Sequence, residues 1–176
     1  LDKNDWHDGL VIRTPNWLGD AVMAIPAIKT IRQAVPQDCA IFAVTPKNLY
    51  PLFSSLDCID RALPLDEARN FWKREDFLRI SQANFGVALL LTTSFRDSFF
   101  LRYSMPFRKI FAPAGRFNSI LLSKSFDLKK TEMRAKEFHH ASKYLSIAYA
   151  FGTEKWDGNF PIFNELKEPE ITSGEV

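Results

Sequence analysis

Five short apolar runs, Leu10 to Ile12, Ala40 to Val44, Cys58 to Leu63, Val87 to Leu91 and Lys109 to Ala112, read as strands separated by longer connecting stretches. Those connections carry helical periods. From Asp20, apolar residues recur at Val22, Ile25, Ile28, Ile31 and Val35 while Lys29, Thr30, Arg32 and Gln33 fall on the other face, the period of an amphipathic helix that Pro36 ends. Pro26 is expected to bend it near its first turns. Further helices are predicted over 46–54, about 72–83, 96–103 and 132–150, the last with Phe138, Ala141, Leu145 and Ala148 on its core face. Parallel strands need crossover connections, and right-handed crossovers place helices on both faces of the sheet. The chain therefore reads as α/β: a Rossmann-like parallel sheet of about five strands with helices on both faces. Residues 10–152 make up this domain, 1–9 a disordered or extended start, and 153–176 a linker or tail.

Composition narrows the class further. With 46% hydrophobic and 25% charged residues in 176, the balance is globular and excludes collagen-like, coiled-coil and disordered chains. No apolar run approaches the ~20 residues of a membrane helix. Leu1 to Gly9 is polar and acidic and lacks a signal peptide's basic and apolar regions. Cys39 and Cys58 lie nineteen positions apart with no second pair, which argues against a zinc or disulfide framework and for a reduced, cytoplasmic setting. Charge is uneven: residues 94–143 carry eleven Lys/Arg against four Asp/Glu, whereas 1–93 carry ten against eleven. This basic middle, interleaved with phenylalanines, reads either as solvated helix faces over a core or as a surface for phosphates, carboxylates or anionic lipid. Nucleic acid is disfavoured, since no helix-turn-helix, zinc-finger or RNP pattern is present.

Ligands of open parallel sheets bind outside the carboxyl ends of the strands, so the loop Thr14 to Asp20 is the first place to look. Neither GxGxxG nor GxxxxGK[ST] occurs there. What the loop offers is Asp20 at the mouth of a helix, and two roles stay open. It can cap the helix's first amides, or it can accept a proton from a bound hydroxyl, the helix N-terminus keeping the carboxylate ionised at neutral pH. Trp17 is equally open to stacking on a sugar or to packing. His139 and His140 are adjacent, about 100° apart on a helix, and cannot share a metal on one face. Ser94 and Ser98 have no nearby base in sequence and no Gly-x-Ser-x-Gly elbow exists, so nucleophilic hydrolysis has little support.

Leu10 to Pro36, reading LVIRTPNWLGDAVMAIPAIKTIRQAVP, resembles the opening of the ADP-heptose:lipopolysaccharide heptosyltransferases, glycosyltransferase family 9, nearest to the family's second inner-core branch. Three later segments are similar in order and spacing: LLLTTSFRDSFF at 89–100, RFNSILL at 116–122 and HHASKYL at 139–145. The chain departs from the family's pattern at Ile110-Phe111, at Asp97 before Ser98, and at Lys143, where the family has Arg. The resemblance implies the N-terminal half of a two-domain GT-B enzyme that transfers heptose from ADP-heptose to the lipopolysaccharide core with inversion. Asp20 would be the general base, and Asn16, Trp17, Gly19, Ser94, Arg96 and Arg116 would bind the acceptor. The guanidinium forks of Arg96 and Arg116, after the fourth and fifth strands, suit its phosphates and sugar carboxylates. No cofactor and no metal are implied; ADP-heptose would bind mainly an absent C-terminal domain, without which the chain would be inactive. The implied partners are that domain, the phosphorylated glycolipid acceptor and, peripherally, the inner face of the inner membrane. Two other readings are a family member with a different donor or acceptor and a non-catalytic module that grips an anionic glycolipid.

Overall fold

The structure, a computed structural model, describes residues 3–6, 9–65, 74–81, 85–104, 107, 109–114, 119–126 and 140–153. In chain order these give α1 (Lys3–Trp6), β1 (Gly9–Arg13), α2 (Leu18–Ala34), β2 (Ala40–Pro46), α3 (Tyr50–Ser54), β3 (Arg61–Leu65), α4 (Arg74–Ser81), β4 (Val87–Leu90), α5 (Phe95–Ser104), β5 (Lys109–Pro113), β6 (Lys124–Phe126) and α6 (His140–Phe151). The strands form one sheet in the order β3-β2-β1-β4-β5-β6, and every pairing is parallel. The five expected strands are all present. A sixth, three residues long, extends the edge beside β5.

Alternation along the strands divides the core into two layers. Leu10, Ile12, Ile41, Ala43, Val87 and Leu89 pack in one buried cluster with residues of α2, α3 and α6, while Val11, Phe42, Val44, Ala88 and Leu90 join the other with Ile80 of α4 and Leu101 of α5. Both faces are thus covered, which is why β1 is buried along its whole length.

Several local expectations change. The segment at 1–9 is not extended or disordered throughout: Lys3–Trp6 is a helical turn, held because the buried Trp6 ring meets Phe151 edge-on at 5.9 Å and Asp5 pairs with Lys109 at 2.6 Å. Gly9 already belongs to β1. On α2, Val22 is exposed and Thr30 is buried, the reverse of the simple amphipathic reading. α2 packs in the same core layer as α6 and against it, so Ala21, Ala24 and Ala27 carry much of its wide buried face, and Thr30 satisfies its hydroxyl by donating to the Pro26 carbonyl at 2.8 Å. The helix is assigned without interruption through Pro26. The segment 46–54 is a 3₁₀ turn, Lys47–Leu49, followed by α3; Pro51, without an N–H to donate, sits in that helix's first turn. β3 begins at Arg61, later than expected, with Cys58 and Ile59 buried in the approach to it. The start of the last helix at Glu132, with Phe138 and His139, lies outside the described residues, as do both ends expected for the 72–83 helix and the tail beyond Thr153.

Candidate functional site

The strand order reverses its direction of growth between β1 and β4, and the loops after these two neighbours lie side by side at the carboxyl edge of the sheet, where ligands of open parallel sheets bind. The first loop carries Asn16, half-buried, then Trp17, Leu18 and Gly19, all exposed. Trp17 is 76% exposed, so its packing reading falls away. At Gly19 an added Cβ would meet only open space.

Asp20 is the third residue of α2, not its cap. The cap position is Trp17, in extended conformation and with no side-chain bond to the helix. The half-buried Asp20 carboxylate instead accepts a hydrogen bond at 2.8 Å on Oδ1 from the hydroxyl of Tyr144, which stands on α6. Burial pushes the Tyr144 hydroxyl well above its ordinary pKa, and both the bond to Asp20 and that carboxylate's negative charge push the same way. The phenol is therefore a standing donor at any physiological pH. Asp20 also lies in the first turn of a 17-residue helix, where the free amides carry partial positive charge.

A second polar assembly joins the two loops. Arg13, at the end of β1 and 1% exposed, donates from Nη1 to the Thr14 carbonyl at 2.8 Å and from Nη2 to Asn16 Oδ1 at 2.6 Å. Its Nε lies 3.4 Å from Asp97 Oδ2 on α5, an ion pair by charge rather than an aligned hydrogen bond, with both side chains almost wholly buried. Burial lowers the Arg13 pKa, Asp97 opposes that, and the nearby Arg96 adds to it. Ser94 caps α5, its Oγ accepting the Asp97 N–H at 3.2 Å. Arg96 in the first turn of α5 is exposed. Of the residues expected at the site, Asn16, Trp17, Gly19 and Asp20 follow β1 and Ser94 and Arg96 follow β4, while Arg116 lies outside the described residues. Arg13, Asp97 and Tyr144 were not foreseen. The available signals were a charge at the end of an apolar strand, the departure at Asp97, and the tyrosine of HHASKYL.

Among the described residues no three His, Cys, Asp or Glu side chains group closely enough to hold a metal ion, and no helix is long and apolar enough to cross a membrane. No family model and no curated protein matches the sequence. Solved structures do match. The E. coli ADP-heptose lipopolysaccharide heptosyltransferase II aligns over 80% of this chain and 40% of its own with a TM-score of 0.61 and 20% identity. E. coli heptosyltransferase WaaC with ADP aligns over 85% and 49%, with a TM-score of 0.67 and 14% identity. A glycosyl transferase family 9 structure from Veillonella parvula aligns over 82% and 41%, with a TM-score of 0.62 and 16% identity. At these identities the likeness is one of fold: the chain spans about half or less of the heptosyltransferase structures it matches, and over that span it is built as they are.

Proposed function

We propose that this chain is the acceptor-binding, base-bearing domain of an inverting sugar transferase of the heptosyltransferase kind, acting on an anionic glycolipid. The observation that carries the reading is the Asp20 carboxylate, set in the first turn of α2 at the carboxyl edge of β1, beside the strand-order reversal, and engaged by a buried phenol rather than spent on capping. In the proposed reaction an acceptor hydroxyl lies against Asp20. Its oxygen forms a bond to the anomeric carbon of an ADP-linked heptose, the bond from that carbon to the diphosphate breaks, and the electron pair leaves with ADP. The hydroxyl proton passes to Asp20. A carboxylate is a weak base, which suits a proton lost late, as the oxygen already bonds to carbon. Donor binding and stabilisation of the departing diphosphate belong, in this reading, to a second domain.

Support for an anionic, membrane-held acceptor comes from α5. At 100° per residue, Phe95, Phe99 and Tyr103 fall within about 80° of one another on its exposed side, with Arg102 and Arg96 at the two margins of the stripe. The aromatic rings form a ladder, with centroids 6.2 Å and 4.7 Å apart. Exposed aromatics flanked by arginines suit an interface between water and anionic lipid headgroups.

The test is Asp20→Asn in the intact transferase. General base catalysis contributes about 10² to 10⁴, so turnover falls by about 10² or more while acceptor affinity changes little. Activity within about threefold of wild type would return Asp20 to a structural role and leave the glycolipid-binding module as the better reading.

A further inference from the structure

The contact between Asp20 and Tyr144 joins residues 124 positions apart, from two helices that pack along each other in the same core layer. We propose that Tyr144 is a positioning residue for Asp20: its hydroxyl, donating to Oδ1, fixes the carboxylate in one orientation and leaves the other oxygen to receive the acceptor's proton. This rests on the reading of Asp20 as base.

Three observations support it. Tyr144 is 2% exposed and packed in a cluster with Leu145, Ile147 and Ala148, so its ring cannot follow a wandering carboxylate. A terminal carboxylate torsion is broad when unrestrained, and a bond to one oxygen from a rigid donor removes that freedom before substrate arrives. Finally, Asp20 has no capping task to explain its placement, since the helix start at Trp17 carries no side-chain cap.

The charged groups on the surrounding elements are largely engaged elsewhere. On α6, Lys143 Nζ lies 5.5 Å from the Tyr144 ring centroid. On α2, Lys29 and Arg32 pair with Asp57 and Asp60, two turns or more beyond Asp20. On β1, Arg13 is committed to Asn16 and Asp97, and on β5, Lys109 to Asp5. The Tyr144 hydroxyl, by contrast, donates to Asp20 directly at 2.8 Å.

The experiment compares the steady-state kinetics and melting of the intact transferase, wild type against Tyr144→Phe, with an NMR measurement of the Tyr144 hydroxyl proton in the chain. In Tyr144→Phe kcat falls about tenfold with acceptor KM within about twofold, as expected when orientation rather than binding is lost. A role in packing alone would lower the melting temperature and leave kcat within about twofold of wild type, and that result overturns the proposal. If Tyr144→Phe does not fold, the wild-type hydroxyl proton decides: a slowly exchanging Tyr144 resonance that disappears in Asp20→Ala supports the contact, and one that persists overturns it. The two readings separate cleanly. An unchanged kcat in Tyr144→Phe beside an inactive Asp20→Asn removes Tyr144 and keeps the base, whereas a Tyr144 hydroxyl resonance that depends on Asp20 beside an active Asp20→Asn keeps the positioning of the carboxylate and removes its catalytic use.

Discussion

Arg13 ties the β1 loop to α5 with one side chain, since its guanidinium reaches Asn16 on one side and Asp97 on the other. A buried ion pair adds little stability over an apolar replacement, but breaking one strands a charge in a low-dielectric interior. Asp97→Asn therefore costs about 3–5 kcal/mol, which a melting experiment reads as a fall of roughly 10 °C for a chain of this size. A change under about 2 °C would mean that Arg13 finds compensation elsewhere. At this scale the sequence is least legible. Asp20 could be singled out from its place after a turn-rich loop, yet its phenolic partner is 124 residues away, and no spacing rule reaches that far. Asp97 was visible only as a departure from a family pattern. Its meaning depends on Arg13, which the fold brings to it from the neighbouring strand.

Elements were far more legible, because each is written locally: an apolar run, a turn, a helical period, a proline. The readings that slipped did so where packing overrode the local pattern. Thr30 is buried because α2 is covered by α6 as well as by the sheet, which a single-stripe reading of the helix does not anticipate. The start of β1 shows a backbone constraint of the same non-local kind. Gly9 sits at φ +138°, and any Cβ there would collide with the Ala40 carbonyl oxygen on the paired strand. Gly9→Ala must both adopt an unfavourable backbone region, about 1–3 kcal/mol, and push β1 from β2. The expected result is a loss of at least about 2 kcal/mol in denaturant unfolding. Gly19→Ala is the control, since it has an ordinary φ and open space around it; replacing a helical glycine there gains up to about 1 kcal/mol. Equal effects of the two substitutions would show that the collision at Gly9 is relieved by a small shift of the strand.

For the whole molecule, the sheet with two buried layers makes ionisation of interior groups a matter of global stability. Cys39 and Cys58 are free and buried, and burial, with Asp57 adding to it, pushes the Cys58 thiol up from 9.0 to about 12. The unfolded chain then releases this proton near pH 9 while the folded chain holds it to about pH 12. The folded state binds more protons across that window, so stability falls as pH rises through it, by up to about 1.4 kcal/mol per pH unit. Tyr144, raised for the same leading reason, steepens the decline once the unfolded tyrosine begins to ionise near pH 10. Below about pH 8 neither group contributes an appreciable slope. Urea unfolding of wild type and Cys58→Ala at pH 7, 9 and 10.5 isolates the cysteine, because every other titration is common to both proteins. Whatever the substitution costs in packing appears equally at all three values. The wild type should lose about 1.6 kcal/mol more than the variant between pH 9 and 10.5. Parallel loss would mean that the folded protein admits a thiolate at position 58, through solvent entry or through Lys29 and Arg32 turning toward it.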